Sequence, residues 1–329
     1  MFTTTLLDWF AQNGRDLPWR HTKDPYAIWL SEIILQQTRI QQGMDYWLRF
    51  MRRWPKVEDL ASATEDEVLK EWQGLGYYSR ARNLHTAAQQ IVALGGFPTT
   101  IEGIKQLKGV GDYTAAAIGS IAFGLPAAVV DGNVYRVLAR HYGIDTPINT
   151  TQGKHLFTEL AQSLLPTDQP AEFNQALMDF GAIQCTPTSP KCVVCPLQET
   201  CEALRTGRID ELPVKEKKLT IQTVRLTYIY IRCKGKTAIH RRPAGGIWQG
   251  LWEPYNAADA LPLWSQEAIL LAKDVKHILT HRILLADFHL LDTDTQPSLP
   301  NDYIWVNEND LDQYAVPRLI EILLERLPR

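Results

Sequence analysis

The chain has 329 residues, of which 45% are apolar and 22% charged, an ordinary composition for a folded globular protein. This length predicts about two domains of roughly 150 residues, and it is large enough to bury a core without a disulfide framework. No apolar run reaches the roughly 18 residues that a membrane span needs, and a net charge of −3 gives no general attraction to nucleic acid, so DNA binding would need a local basic surface or main-chain amides.

The first residues, MFTTTLLDWFAQNGRD, have no basic flank, no long apolar core and no small-residue cleavage site. We therefore expect no signal peptide, no membrane attachment and a cytoplasmic location. A cytoplasmic protein keeps its cysteines reduced, which bears on the cysteine cluster described below.

Helical patterns dominate residues 1–205, and no segment there favours a strand. Residues 25–54 predict two helices from the spacing of their apolar positions, and residues 155–181 predict two more, interrupted by prolines. Two Thr-x-x-Glu pairs are typical of capping boxes at helix starts: Thr64 with Glu67, and Thr99 with Glu102.

A Gly-x-Gly turn separates two helical patterns in IEGIKQLKGVGDYTAAAIGSIAF, residues 101–123. The glycines allow a tight turn, and the second helix would present free N-terminal amides that can bind a phosphate oxygen. Such a contact fixes position on a nucleic acid without reading its sequence. An ordinary corner between two helices explains the same glycines, so both interpretations stay open on this motif alone.

Two carboxylates have unusual surroundings. Asp131 follows the apolar run LPAAVV and precedes a helical pattern; it either caps a helix that begins near Val134 or faces a developing positive charge in a groove. Glu32 shares one helix face with Ile28 and Leu35. A charge on an apolar face is uncommon unless it is paired or functional, and burial would keep Glu32 able to donate a proton. A rotated helix would expose it instead.

Four of the five cysteines lie within 17 residues, spaced Cys-x6-Cys-x2-Cys-x5-Cys. They are Cys185, Cys192, Cys195 and Cys201. In a reducing compartment such a cluster indicates a metal rather than disulfides. Four thiolates can hold a [4Fe–4S] cluster; structural zinc usually shows two close pairs, and only one is present here. The spacing alone leaves a cluster, zinc and no metal open.

A polar segment with a charge run, residues 206–220, predicts a linker. Beyond it, Val224, Leu226, Tyr228 and Tyr230 alternate with other residues and predict a half-buried strand. The segment HILTHRILLADFHLL and residues 302–306 predict further strands, and RLIEILLERL near the end predicts a helix. Residues 221–329 are therefore expected to form an α+β domain.

Several motifs occur together in a fixed order. They are LPWR at 17–20, DPYAIWLSEIILQQT at 24–38, WQGLGYYSRARNLHTAA at 72–88, LKGVGDYTAAAI at 107–118, VDGNVYRVLAR at 130–140, and FNQALMDFGAIQC at 173–185 before the cysteine loop. In this order they resemble the MutY family of adenine DNA glycosylases, within the endonuclease III superfamily of helix-hairpin-helix glycosylases. The resemblance covers nearly all of residues 8–215 and is moderate beyond.

The resemblance implies a mainly α catalytic region over residues 1–215 and a MutT-like α+β lesion-recognition domain over 221–329. The catalytic region would have two helical lobes with a DNA groove between them. The six-helix lobe would span about 22–129, and the lobe with the [4Fe–4S] loop would combine about 1–21 with 130–215. The four clustered cysteines would be the cluster ligands, in a structural role.

The implied activity is removal of adenine that is mispaired with 8-oxoguanine or guanine in double-stranded DNA, by a protein expected to be a monomer. The base must first leave the helical stack. Glu32 matches the general acid that protonates adenine at N7, and Asp131 matches the carboxylate that stabilises the oxocarbenium-like sugar. Asn133 and Tyr113 match residues that orient these groups. The implied adenine pocket consists of Trp19, Arg20, Leu35 and Gln175.

The resemblance also implies DNA contacts. Gln37 and Tyr77 match residues that wedge into the duplex. The implied phosphate contacts are Lys108, Gly109, Val110, Gly111 and Lys191. Endonuclease III has a Schiff-base lysine where this chain has Tyr113, and a phenol cannot form an imine, so we expect no efficient strand cleavage.

In the C-terminal domain, Thr280 and His281 match two residues of a Phe-Ser-His loop that reads the oxidised guanine, and Leu279 replaces the phenylalanine. The segment AADALPLWSQEAILLAK, residues 257–273, is expected to be a helix with one glutamate, Glu267, so a Mg²⁺-dependent nucleotide hydrolase is not expected. Two rival functions remain at this stage: an endonuclease III-type glycosylase-lyase for oxidised pyrimidines, and a non-catalytic DNA-binding protein with a cluster.

Overall fold

The computed structural model describes residues 1–216, 222–257 and 261–328. The chain divides into two compact units: Met1–Ala61 with Thr86–Lys217, and Ser62–His85 with Lys218–Arg329. Part of the predicted linker, 217–220, and part of the expected helix, 258–260, lie outside the described residues. Within the described ranges, no helix is both long and apolar enough to span a bilayer. The bounds of the two lobes stay a prediction.

Helices form most of the first unit. In chain order the α-helices of the described chain are α1 (Phe2–Asn13), α2 (Pro25–Leu35), α3 (Ile40–Arg53), α4 (Val57–Ser62), α5 (Glu65–Trp72), α6 (Ser79–Ala93), α7 (Ile101–Lys105), α8 (Asp112–Phe123), α9 (Gly132–Tyr142), α10 (Thr151–Leu164), α11 (Pro170–Asp179), α12 (Glu202–Arg205) and α13 (Arg318–Leu324). The two helices predicted over 25–54 are α2 and α3, and those predicted over 155–181 are α10 and α11, so both predictions are confirmed.

Local capping explains where these helices begin. Asp24 accepts a hydrogen bond from the main-chain N–H of Tyr26, and Pro25 occupies the first helical position of α2, where a missing N–H costs nothing. The capping box of Thr64 and Glu67 is present at α5. The predicted box at Thr99 is wrong: Thr100 is the residue directly before α7, and its hydroxyl accepts from the N–H of Gly103.

Two hydrophobic cores hold together helices of the first unit. Phe2 and Leu6 of α1 are buried in one core with Leu138 of α9 and Leu177 of α11. A second core joins Ile28 of α2 to α8, to the segment before α9 and to α11. Its other buried members are Ala116, Ala117, Ile121, Val129 and Ala171. The helix ends around this second core carry the candidate site.

The second unit contains α5, α13 and a mixed sheet. Its strands are β1 (Gln222–Cys233), β2 (Lys236–Arg241), β3 (Trp252–Glu253), β4 (Tyr255–Asn256), β5 (Ile269–Ile278), β6 (Arg282–Asp292) and β7 (Tyr303–Asn307). The order is β3-β2-β1-β6-β5, with β4 beside β1 and β7 beside β2. The β1–β6 pair is parallel and the β5–β6 pair antiparallel. The α+β expectation for this domain is confirmed.

Strand β1 is half-buried only in its first part. Tyr228 and Tyr230 pack with α13 on one face, while Ile229 and Ile231 are buried on the opposite face. The expectation of one exposed face is therefore wrong beyond residue 227, because side chains cover both faces of the sheet there. The strand predicted over residues 277–291 is the end of β5, a turn, and β6.

The expected helix over 257–273 is wrong for its described residues. Leu263–Ser265 form one 3₁₀ turn, and Ile269 begins β5. The run of apolar residues at 269–272 suits a strand as well as a helix, and antiparallel pairing with β6 decides the outcome. Glu267 is exposed between these two elements.

Candidate active site

One cavity of about 220 Å³ in the first unit is lined by both predicted catalytic carboxylates. Glu32, near the end of α2, is partly buried and accepts a hydrogen bond from the Tyr113 hydroxyl at 2.9 Å. Burial raises the pKa of Glu32 from 4.5 to about 7; the Tyr113 hydrogen bond and the charge of Arg20 oppose the rise, and Asp131 adds to it. Glu32 can therefore hold or release a proton near neutral pH.

Asp131 is both a helix cap and a wall of this cavity. Its Oδ1 accepts hydrogen bonds from the main-chain N–H groups of Asn133 and Val134, each at 2.8 Å, and its Oδ2 accepts from Asn133 Nδ2 at 2.8 Å. Burial raises the pKa of Asp131, while these three hydrogen bonds act in the opposite direction. The sequence left two interpretations of Asp131 open, a helix cap or a carboxylate in a groove. In the structure Asp131 caps α9 and also lines the cavity.

Tyr113 and Asn133 donate hydrogen bonds to the two carboxylates, Tyr113 to Glu32 and Asn133 to Asp131. Tyr113, in the first turn of α8, has a pKa well above its ordinary value because of burial and the nearby charge of Glu32, so its hydroxyl remains a donor. The Asn133 side-chain oxygen accepts from Arg136 Nη2 at 2.9 Å. Arg136 also donates to the carbonyl oxygens of Gly181 and Cys185, at 2.6 and 2.7 Å. A buried arginine thus fixes the side chain that holds Asp131.

The four residues of the implied adenine pocket line the same cavity. They are Trp19, Arg20, Leu35 and Gln175. Trp19 is buried, and its ring lies 5.6 Å from that of Trp47 in an edge-to-face arrangement. The structure therefore brings all eight predicted catalytic and pocket residues to one cavity; their roles stay predictions.

Sequence reasoning missed three residues at this site. Arg15 and Met178 line the cavity, and the Tyr113 hydroxyl lies 3.8 Å from Met178 Sδ. Asp179 is fully buried and accepts hydrogen bonds from Arg15 and Arg20. Its position in the apolar run ALMDFG was the available signal, since a charge among apolar residues indicates a pair or a function.

The hairpin between α7 and α8 exposes its glycines to solvent, and phosphate binding there stays a prediction. Gly109 has φ +78°, in the left-handed region that glycine adopts readily. Val110 is buried, while Lys108 and Gly111 are exposed. Gly111 precedes α8 and supplies no side-chain cap, so the first amides of α8 remain available for an anion.

Gln37 and Tyr77 both have left-handed backbone conformations, with φ +56° and +47°. This region is sparsely populated by residues other than glycine, and such strain persists only where the surroundings hold it. Both side chains are exposed. In the second unit, the Tyr77 hydroxyl lies 2.5 Å from Thr280 Oγ1.

A larger cavity of about 700 Å³ lies wholly within the second unit. The turn between β5 and β6 contributes Thr280 and His281, and Tyr77 lines the same cavity. Its remaining wall includes Trp248 and His277, whose rings lie 5.8 Å apart. The predicted wedge tyrosine and the predicted lesion-reading residues are therefore neighbours.

The four clustered cysteines all carry free thiols and are partly buried. Burial raises the pKa of Cys195 to about 11, and Cys185, Cys201 and Cys192 add to the rise. This mutual influence places the four thiols in one small region, which suits a four-thiolate donor set. Among the described residues, however, no group of three or more His, Cys, Asp or Glu side chains has metal-binding geometry. Lys191 is exposed beside Cys192.

Two family models match the chain. Residues 30–163 match the HhH-GPD superfamily of base excision DNA repair proteins, and residues 227–326 match the NUDIX domain. A solved structure described as a thermostable thymine-DNA glycosylase is 35% identical, with a TM-score of 0.58, and the match covers 62% of this chain and 95% of that one. Fold and site thus define a helix-hairpin-helix base excision repair protein with a NUDIX-like domain.

The chain belongs to the family of adenine DNA glycosylases. It is 32% identical over 343 residues to the adenine DNA glycosylase of Buchnera aphidicola subsp. Baizongia pistaciae, covering 100% of this chain and 97% of that protein. It is 46% identical over 226 residues to the Mus musculus adenine DNA glycosylase. That match covers 64% of this chain and 44% of the mouse protein, so the chain spans a little under half the length of this relative.

Proposed function

We propose that the protein is a monofunctional DNA glycosylase of base excision repair that hydrolyses adenine from duplex DNA, opposite 8-oxoguanine or guanine. The observation that carries this proposal is the single cavity that contains a protonatable Glu32, a main-chain-bonded Asp131 and the predicted base pocket. The names of the relatives support adenine as the base, and the motif resemblance supports the mispair.

Glu32 supplies the proton that makes adenine a leaving group. An unprotonated purine leaves its sugar slowly, because the departing base would carry a full negative charge. A carboxylic acid with a pKa of about 7 is largely protonated below neutral pH, and its proton can pass to N7 of an extruded adenine. The bond between N9 and the sugar carbon C1′ then breaks, and the base takes the bonding electron pair.

Asp131 stabilises the positive charge that the sugar gains in this step. Its hydrogen bonds to Asn133 and Val134 favour the ionised form, as does its place at the N-terminus of α9. A water molecule then forms the new bond to C1′ and gives one proton to the Glu32 carboxylate. The acid is thereby restored, and the product is a free base and an abasic site.

Tyr113 argues for a glycosylase without strand cleavage. Its phenol donates to Glu32 and cannot form the imine with C1′ that a β-lyase needs. This distinguishes the proposed reaction from that of an endonuclease III-type glycosylase-lyase. The intact pair of Glu32 and Asp131 distinguishes it from a protein that only binds DNA.

The DNA partner would be held by several exposed elements. The N-terminal amides of α8 after Gly111, together with Lys108 and Lys191, would bind phosphates without reading sequence. Gln37 and Tyr77 would fill the gap left by the extruded base, which offsets a few kcal/mol of unstacking. Thr280 and His281 would contact the oxidised guanine. We propose a monomer that works in the cytoplasm with the chromosomal DNA.

A [4Fe–4S] cluster would be held by Cys185, Cys192, Cys195 and Cys201. It would cross-link the loop that carries Lys191 and thereby fix a basic surface. Iron and sulfide analysis of anaerobically purified protein tests this, with four of each per chain expected, and protein that binds zinc alone would contradict it.

The test of the function is single-turnover release of adenine from a duplex with A opposite 8-oxoguanine, scored with and without alkali. We expect free adenine from the native protein and strand breaks only after alkali. Asp131→Asn should abolish release and still bind the duplex, whereas Asp145→Asn, an exposed acid of the same unit, should match the native rate. No release by protein with its metal loaded would refute the proposal.

Thymine opposite guanine is the second candidate substrate. The solved thymine-DNA glycosylase that is 35% identical over 62% of this chain favours it. A G·T duplex in the same assay separates the two, because thymine release at the higher rate would reverse the assignment.

A further inference from the structure

Asp179 is a buried carboxylate that holds two arginines of the base cavity. It ends α11 and has no exposed surface. Its Oδ1 accepts hydrogen bonds from Arg15 Nε at 2.9 Å and Arg20 Nη2 at 2.8 Å, and it also bonds Arg15 Nη2. Its Oδ2 accepts from the Arg15 main-chain N–H at 2.9 Å and from Arg20 Nη1 at 2.8 Å. One carboxylate thus receives two guanidinium forks.

Arg15 and Arg20 both line the cavity that contains Glu32. Arg20 Nη1 donates a further hydrogen bond to the Arg15 carbonyl oxygen at 2.8 Å. This bond connects the two ends of the segment 15–20. A guanidinium has five N–H groups. In the described chain Arg20 uses three of them on Asp179 and the Arg15 carbonyl, which leaves two for a ligand.

We propose that Asp179 is a positioning residue for base release, because it holds Arg15 and Arg20 side by side against the wall of the base cavity. Two adjacent guanidinium groups repel each other, and a buried anion between them removes that repulsion. The proposal rests on the proposed function for the identity of the base. Asp179 itself touches neither base nor sugar in this assignment.

The charges around Glu32 show what Asp179 would control. Tyr113 from α8 donates a hydrogen bond to Glu32. The charge of Asp131 acts on Glu32 from the start of α9, and the charge of Arg20 acts on it from the 3₁₀ turn Pro18–Arg20. Arg15 lines the same cavity. Burial alone would raise the pKa of Asp179, but the hydrogen bonds from Arg20 and Arg15 outweigh it and lower that pKa. Asp179 is therefore an anion at neutral pH.

Loss of that anion should leave two uncompensated positive charges beside Glu32. Positive charge favours the ionised carboxylate, so the Glu32 pKa should fall. Protonated Glu32 would then be scarcer at a given pH, and base release would fail at a lower pH. A purely stabilising role for Asp179 predicts a different result: less stable protein with an unchanged pH profile.

The test compares Asp179→Asn, Asp179→Glu and the matched control Asp16→Asn. Asp16 lies in the same loop, but its side chain is exposed and pairs with His21. The first readout is the alkaline limb of single-turnover base release. The second is the titration midpoint of the Glu32 carboxyl by ¹³C NMR, assigned with Glu32→Gln, which needs no catalytic activity.

We expect Asp179→Asn to lower both midpoints by about 0.5 pH unit or more, which is about a threefold loss of rate on the alkaline side. Asp179→Glu should keep the midpoint, since it keeps the charge, and should raise the enzyme concentration needed for half-maximal rate. Asp16→Asn should change neither. An unchanged Glu32 midpoint in Asp179→Asn would overturn the proposal.

A double variant covers the case in which Asp179→Asn does not fold. Asp179→Asn with Arg15→Met removes one positive charge together with the negative one, and it should return the Glu32 midpoint close to the native value. A midpoint that stays depressed in the double variant would contradict charge balance as the cause. If the native protein releases no adenine but the NMR midpoints shift as expected, the proposed function fails, while the control of the Glu32 carboxyl by Asp179 through the two arginines stands.

Discussion

Replacing Glu32 by Gln should abolish base release and stabilise the protein at alkaline pH. The pKa of Glu32 rises from 4.5 to about 7 in the fold, so the unfolded chain loses this proton first as the pH rises. Stability is therefore lost between about pH 4.5 and pH 7 and stays lost above. At about 1.4 kcal/mol per pH unit, the rise from 4.5 to about 7 corresponds to a cost of about 3.5 kcal/mol. Partial exposure and the loss of the charge-assisted bond from Tyr113 reduce the expected gain to about 1–2 kcal/mol.

Urea unfolding followed by far-UV circular dichroism at pH 4 and pH 8 measures this gain. Glu32→Gln should be more stable than the native protein at pH 8 and nearly equal to it at pH 4. The matched control is Glu159→Gln in α10, an exposed acid that pairs with His155, which should change stability by less than about 0.5 kcal/mol at either pH. Equal differences at both pH values, or a less stable variant at pH 8, would refute the burial of a protonatable Glu32.

Two further substitutions test contacts inside each unit, one in the first unit and one in the second. Gly181→Ala places a Cβ 2.5 Å from the Asn133 Cβ. The variant should therefore lose about 1–3 kcal/mol of stability in urea unfolding and release the base more slowly. Gly132→Ala, whose added Cβ would have no atom within 4 Å, is the control and should not lose stability. In the second unit, Glu253 accepts hydrogen bonds from Tyr228, His240 and Arg242. Burial alone would raise the pKa of Glu253, but these partners lower it below its ordinary value of 4.5. The stabilisation is therefore present at neutral pH and is lost as the pH falls below that ordinary value and through the lowered pKa. Glu253→Gln should therefore cost about 3 kcal/mol at pH 7 and less in acid, and an equal cost at both pH values would contradict the paired carboxylate.

The helical region was predictable because its signals are local. Caps, proline positions and apolar spacing act within one or two turns, and they placed α2, α3, α10 and α11. The error at Thr99 is a shift by one residue between two adjacent threonines, both able to cap. The sheet was harder, because whether residues 269–272 form a helix or a strand depends on pairing with β6, and no local signal reports a partner.

The site was predictable where its motifs were intact and unpredictable where contacts join distant segments. The hydrogen bond between Tyr77 and Thr280 links residues 203 positions apart. Each residue was assigned a DNA contact on its own motif, yet neither motif indicated that the two side chains touch. This contact brings the predicted wedge tyrosine and the predicted lesion-reading turn together on one surface of the second unit.

Glu32 and Asp179 show why a single sequence rule gives two outcomes. Each is an acid among apolar residues, and the same argument, that such a charge is paired or functional, applies to both. Glu32 receives one hydrogen bond from a neutral phenol, and its pKa rises. Asp179 receives two guanidinium groups from residues 164 and 159 positions away, and its pKa falls. The first environment yields a group that can exchange a proton and the second a fixed anion, and the difference lies entirely in partners that the local sequence does not contain.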